Sequence, residues 1–216
     1  MSGAFARCLA IAFCVGARLT VAAPIVPAAE HLAQVIDSLD VENHWLARQH
    51  IQWDTGIPDA KPKERLAEHW ARSSIPDTHC SAFVAAAAKR VGIYILRPPD
   101  HGQILLANAQ YDWLAREGAA RGWARLTGAT AAQDYANQGW FVVATYRNHH
   151  DDRPGHIAIV RPSDKDASLL NEEGPQITQA GAANYRSVSL RTGFAGHPAA
   201  WAGNEVQYYA HVVETQ

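Results

Sequence analysis

Cysteine is scarce in this sequence, and its first apolar run is too short to cross a membrane. Of the 216 residues only three are cysteines, at positions 8, 14 and 80. The apolar run over 9–17 follows Arg7 and ends at Arg18, a pattern typical of a signal peptide and not of a membrane-spanning helix. Small residues up to Ala23, followed by Pro24, predict cleavage at that point.

Removal of residues 1–23 leaves a single cysteine, Cys80, in an exported chain of residues 24–216. The predicted location is the periplasm or the cell exterior, with no stable membrane anchor. A lone thiol in an oxidising compartment has no partner for an intramolecular disulfide and is exposed to oxidation. We therefore expect Cys80 to be functional. The alternatives are that Cys80 is a small buried apolar side chain and that the N-terminal segment is a buried helix.

An excess of charge of either sign is also lacking. The chain has 19 Lys and Arg against 21 Asp and Glu, for a formal net charge of -2. This balance excludes the basic surface that nucleic-acid binding requires, so no nucleic-acid partner is predicted. With 48% hydrophobic and 19% charged residues and no internal repeat, residues 24–216 are expected to form one globular domain.

Hydrophobic periodicity indicates helices in the first half of the chain and strands in the second. Helices are predicted over 28–39, 61–73, 81–91, 100–115 and 129–137. Strands are predicted over 140–146, 156–161, 176–180 and 206–213. Helices followed by an antiparallel sheet are typical of the α+β class. The long helical segment over 97–138, between the third helix and the first strand, is interpreted as an insert.

Cys80 has the surroundings expected of a reactive thiol. It lies in the first turn of the helix over 81–91, after the capping residues Asp77 and Thr78. The positive end of a helix and a nearby imidazole both lower a thiol pKa. His156 follows Gly155 at the start of a strand, which places it at the rim of the sheet, and we expect it to act as the base.

A third group is needed to orient the imidazole, and the next strand is expected to supply it. We assign this role to Gln179, with Gln176 and Asn171 as alternatives. His211 is the rival base, although its position within the last strand favours a place on the sheet face.

A second cluster, from His149 to Asp152 together with His156, has residue types that bind metals. Its first four members form a polar turn between two strands, where such residues are common. We therefore predict neither a metal site nor a cofactor.

Three segments of the chain resemble the NlpC-like and CHAP (cysteine- and histidine-dependent amidohydrolase/peptidase) families. Residues 78–84 (THCSAFV) resemble their nucleophile helix, residues 154–160 (PGHIAIV) their base strand, and residues 177–180 (ITQA) the position of their third polar residue. The order of nucleophile, base and polar residue is also theirs. The chain departs from the families at His79, where aspartate is usual, and at Gln179, where His, Asn or Glu is usual.

The resemblance implies a papain-like fold, with the nucleophile helix packed on an antiparallel sheet. It also implies hydrolysis of amide or peptide bonds in bacterial cell-wall peptidoglycan peptides, without a cofactor. A non-catalytic module that binds wall fragments and an acyltransferase with the same Cys–His pair are the alternatives. In the insert we expect a wall of the substrate cleft, because aromatic residues beside arginines suit a peptide with carboxylates. The expected lining residues are Tyr111, Trp113, Arg116 and Arg121.

Overall fold

The computed structural model describes residues 23–59 and 78–214. The predicted signal segment up to residue 22, the predicted helix over 61–73 and the capping residue Asp77 lie outside this part of the chain. None of the helices in the described part is both long and apolar enough to cross a bilayer.

The described part contains helices and strands in mixed order. The helices are α1 (Pro27–Asp37), α2 (Cys80–Arg90), α3 (Leu106–Arg116), a 3-10 turn (Gly118–Arg121), α4 (Ala129–Asn137), α5 (Ala167–Glu173), α6 (Leu190–Gly193) and α7 (Pro198–Ala202). The strands are β1 (Trp123–Leu126), β2 (Phe141–Tyr146), β3 (His156–Val160), β4 (Gln176–Gln179), β5 (Tyr185–Ser189) and β6 (Gln207–His211).

The strands form one antiparallel sheet with the order β1-β6-β2-β3-β4-β5. The α+β class with an antiparallel sheet is therefore confirmed. Strands β2 and β3 are buried along their whole length because both faces of the sheet are covered. On the inner face, Ile157 and Ile159 pack in one core with α2, whereas on the outer face Ala158 and Val160 pack in a second core with α6 and α7.

Helix α2 lies close against β3 because its inward side chains are small. Residues 85–88 are all alanine, and every residue from Cys80 to Ala88 is buried. Alanine adds almost no bulk and favours the helix, so the backbone of α2 approaches the sheet and other elements cover its remaining sides. This packing fixes the first residue of α2 at the rim of the sheet.

The structure differs from the prediction in the segment over 97–138. Helix α3 begins at Leu106 and not after Asp100, because Leu105 adopts a left-handed φ of 54° that a helix cannot contain. The segment also contributes β1, which pairs with β6 at one edge of the sheet. The insert is therefore not wholly helical, and its short edge strand has too few alternating residues to be recognised from the sequence. The same reason applies to the polar edge strand β5.

Candidate active site

The thiol of Cys80 sits at the start of α2, close to backbone amides. The residue before it, His79, is the N-cap and makes no capping hydrogen bond with its side chain, so the cap predicted at Thr78 is wrong. The Thr78 hydroxyl and the amides of Ser81 and Ile157 lie near the sulfur and favour its thiolate form. Only 2% of Cys80 is exposed.

Burial raises the pKa of the Cys80 thiol, although the amide hydrogen bonds act in the opposite direction. The expectation of a lowered thiol pKa is therefore not met in this arrangement. A helix start lowers a thiol pKa, but complete removal of the sulfur from water disfavours the thiolate more strongly. The sequence showed the helix start and gave no sign of how deeply the sulfur would be buried.

The imidazole of His156 has a defined hydrogen-bond partner and therefore a defined tautomer. Its Nε2 lies 2.7 Å from Oε1 of Gln179. The amide of Gln179 has a fixed orientation because its Nε2 donates to the carbonyl oxygen of Ala183 at 3.2 Å. Oε1 of Gln179 can then only accept, so Nε2 of His156 carries the proton and Nδ1 keeps a free lone pair.

Cys80 and His156 lie near the same end of β3 but face different sides of the sheet: Cys80 packs in the inner core, whereas His156 alternates with Ala158 and Val160 and contacts Phe194 of the outer core. Because the amide of Ile157 lies near the sulfur, the thiol is beside the backbone of the residue that follows His156. Burial lowers the pKa of His156 to about 4, and the bond to Gln179 opposes that shift. Both groups are thus uncharged at neutral pH. No hydrogen bond joins these two described residues, so proton transfer to Nδ1 requires a closer approach than this resting arrangement provides.

Two residues from the segment between α6 and α7 surround the imidazole on its other sides. The ring of Phe194 meets it edge-on at 4.6 Å, and the ring of His197 stacks on it at 5.4 Å with an interplanar angle of 19°. Burial, together with the neighbouring His156, lowers the pKa of His197 to about 4. Nothing in the local sequence around 194–197 pointed to this site, because the contact joins segments almost forty residues apart.

Helix α3 ties the two reactive segments together through two buried side chains. Oδ1 of Asn108 accepts from the amide of Gly155 at 2.8 Å, and its Nδ2 donates to the carbonyl of Arg153 at 2.9 Å. Nε2 of Gln110 donates to the carbonyl of Ser81 at 3.1 Å. One helix therefore holds the turn before His156 and the first turn of α2. The sequence prediction considered only the aromatic and charged residues of this helix and missed both amides.

Of the lining residues predicted in the insert, Trp113 is buried and Tyr111 is not. Only 4% of Trp113 is exposed, and its ring packs edge-on against Tyr94 at 5.5 Å. Trp113 is therefore a core residue, and the prediction that it lines a cleft is wrong. The half-buried Tyr111 shares a short hydrogen bond with Gln207 at the start of β6.

Arg116 and Arg121 are exposed, and Arg121 lies at the end of the sheet opposite His156. Arg121 lies just before β1. The first residue of β1 pairs with His211 of β6, and His211 also pairs with Phe141 at the start of β2. His156 pairs with Tyr146 at the other end of β2. Five steps of about 3.3 Å place these two ends ~17 Å apart along the strand, before the offset across the sheet is added. This separation does not support Arg121 as a wall of a cleft at Cys80, whereas the assignment of Arg116 to the cleft wall stays a prediction.

The alternatives for base and orienting residue have other partners. The ring of His211 bonds to the carbonyl of Arg121 at 3.0 Å, at the end of the sheet opposite His156. Gln176 donates to the hydroxyl of Ser187 at 2.8 Å. Asn171 lies on the outer side of the sheet. Of the candidates named above, Gln179 is the one that contacts His156.

Two of the four histidines and aspartates in the turn before β3 form ion pairs within the protein. His149 lies 2.6 Å from Glu205, and Asp151 forms an ion pair with Arg147 at 2.7 Å. Within residues 23–59 and 78–214, no three His, Cys, Asp or Glu side chains are close enough to hold a metal ion together.

The chain matches no protein-family model and no curated protein. The similarity to the NlpC-like and CHAP families thus rests on the three motifs alone and stays a prediction. The site itself stands on the geometry of Cys80, His156 and Gln179.

We expect the protein to lose stability in mild acid because His156 and His197 are held uncharged. Both pKa values fall from 6.5 in the unfolded chain to about 4 in the folded protein. Below pH 6.5 the unfolded chain therefore binds protons that the folded protein does not, so the free energy of unfolding is highest above pH 6.5 and falls as the pH drops toward 4. Each histidine contributes up to about 1.4 kcal/mol per pH unit to the free energy of unfolding. Urea unfolding at pH 7.0, 5.5 and 4.5 measures the slope of the free energy of unfolding against pH. His197→Gln should flatten it, and the exposed control His150→Gln should not; equal slopes in both variants would contradict the expectation.

Proposed function

We propose that this protein is an exported cysteine hydrolase of papain-like architecture that cleaves amide or peptide bonds, with bacterial cell-wall peptides as its substrate class. The observation that carries the proposal is the fixed tautomer of His156. Gln179 holds the proton on Nε2, so Nδ1 keeps its lone pair, and Cys80 lies beside the backbone of Ile157, the residue that follows His156. The substrate class comes from the resemblance of the three motifs.

The proposed reaction proceeds through a thioester. As Sγ of Cys80 attacks the carbonyl carbon of the substrate, the thiol proton passes to Nδ1 of His156. When the carbon–nitrogen bond breaks, Nδ1 returns that proton to the departing amine. Water then attacks the thioester and gives its proton to Nδ1, and the thiol is restored as the acid product leaves. Throughout, the oxygen of Gln179 accepts from Nε2 and stabilises the transient imidazolium.

The starting state of this reaction is a neutral thiol and a neutral imidazole, because burial raises the one pKa and lowers the other. Proton transfer therefore accompanies the attack of sulfur instead of preceding it. Since only 2% of Cys80 and 4% of His156 are exposed, the substrate must displace the groups that cover them before the carbonyl reaches the sulfur.

The burial of the thiol also favours a second candidate function, a non-catalytic module of the same architecture that binds wall fragments. Such a module needs no access to sulfur. The two functions differ in whether bonds are broken.

Incubation of purified peptidoglycan with the protein separates these functions. We expect new amino groups and shortened peptides by liquid chromatography and mass spectrometry, and none after Cys80 has been alkylated. Because the thiol is buried, alkylation has to be verified on the intact protein by its mass. Pelleting of the protein with insoluble peptidoglycan without any cleavage would support the binding module and refute the hydrolase.

A further inference from the structure

A cleft of about 880 Å³ runs along one end of the sheet, separate from Cys80 and His156. One wall is formed by residues 125–130, which belong to the insert, and the other by residues 200–208. Tyr111 and Arg147 also line it. The insert lines this cleft through β1 and the turn after it, whereas Arg116 and Arg121 are not among the lining residues.

The cleft begins close to the candidate active site. Gln207, which lines the cleft, pairs with Thr145 of β2, and Thr145 pairs with Ile157 of β3. Two strand spacings separate the backbones of Gln207 and Ile157 by about 10 Å. The amide of Ile157 lies near the Cys80 sulfur. An extended peptide covers that distance with about three residues.

One positive charge in the cleft is left without a carboxylate partner. Arg147 already forms ion pairs with Asp112 and Asp151, and Glu205 is engaged by His149. Within the described part of the chain, none of the ion pairs includes Arg125. Arg125 is exposed, and its charge acts on the Tyr111 hydroxyl across the cleft entrance. A guanidinium in this setting is available for a ligand carboxylate.

Aromatic side chains supply the apolar part of the cleft. Tyr111 and Trp201 are half-buried and face the same space as Arg125. Rings beside a guanidinium accommodate the aliphatic stem and the carboxylate of an acidic side chain together. The combination suits a peptide better than a nucleotide, because the lining carries a single unpaired cation.

We propose that this cleft is a binding subsite for an acidic peptide segment, with Arg125 pairing with a carboxylate about three residues from the bond presented to Cys80. This inference rests on the proposed hydrolase function for its role, but peptide binding in the cleft can be measured on its own.

The test is calorimetric titration of the Cys80→Ala variant, in which no bond can be cleaved. The probes are an acetylated and amidated tetrapeptide with two glutamates and the same peptide with two glutamines. We expect the glutamate peptide to bind about tenfold more tightly, which corresponds to one charge-assisted contact of ~1.4 kcal/mol. Adding Arg125→Ala should abolish this preference, whereas the exposed matched control Arg116→Ala should retain it.

Equal affinity for the two peptides, or a preference that survives Arg125→Ala, overturns the subsite. Absence of binding by either peptide overturns it as well. If the wild-type protein still cleaves peptidoglycan, such results refute the subsite and not the hydrolase function. Failure of the subsite can therefore be distinguished from failure of the proposed function.

Discussion

Cys80→Ala and His156→Ala should each reduce turnover of peptidoglycan by about 10⁴-fold or more. Without the sulfur no thioester forms, and without Nδ1 no group takes the thiol proton at neutral pH. Because the residues act as a unit, the double variant should be no slower than either single variant. Initial rates of peptide release, measured with the same folded protein concentration, check this result.

The controls use residues of the same type that lie outside the site. His150→Ala, in the exposed turn before β3, should retain full activity. Gln179→Ala should lose about 10–100-fold because Gln179 only orients the imidazole, and Gln176→Ala, whose side chain bonds to Ser187, should lose little. Full activity in His156→Ala, or greater loss in Gln176→Ala than in Gln179→Ala, would refute the assignment of base and orienting residue.

Gly155→Ala should lower the melting temperature by about 5–10 °C. A Cβ at Gly155 would lie 2.1 Å from the carbonyl oxygen of Tyr146 and 2.6 Å from Oδ1 of Asn108. The carbonyl belongs to β2 and cannot move without disturbing its pairing with β3. Overpacking of this kind costs about 2–3 kcal/mol, and each kcal/mol shifts the melting temperature of a domain of this size by roughly 2–4 °C.

Gly102→Ala is the matched control for this change. A Cβ at Gly102 meets no atom within 4 Å, so its melting temperature should stay within about 1 °C of the wild type. Activity should also fall in Gly155→Ala, because the displaced turn carries His156 and loses its hydrogen bond to Asn108. Equal melting temperatures for the two variants would show that the turn before β3 is not held as tightly as its contacts indicate.

Helix α2, which begins at Cys80, and strand β3, which begins at His156, were predictable because each depends on local features. Alanines over 85–88 favour a helix that begins near Cys80, and alternation after Gly155 favours a strand that begins with His156. The choice of Gln179 required only that β4 lie next to β3, which an antiparallel sheet of consecutive strands provides.

The lining of the cleft was not predictable in the same way. Trp113 and Arg116 were chosen because aromatic and charged residues are common in binding sites, but Trp113 belongs to the buried face of α3 and Arg116 is exposed to solvent. Only the packing of α3 shows that Asn108 and Gln110 face the reactive segments, and only the strand β1 brings Arg125 to the cleft.

By itself the sequence determined the α+β class and the approximate extent of α2 and β3, because helix propensity and side-chain alternation act over a few neighbouring residues. Tertiary structure alone decided the ionisation of the site. Burial raises the pKa of Cys80 and lowers that of His156. That burial depends on segments distant in the chain, such as α3 and the residues around Phe194, which come together only when both faces of the sheet are covered.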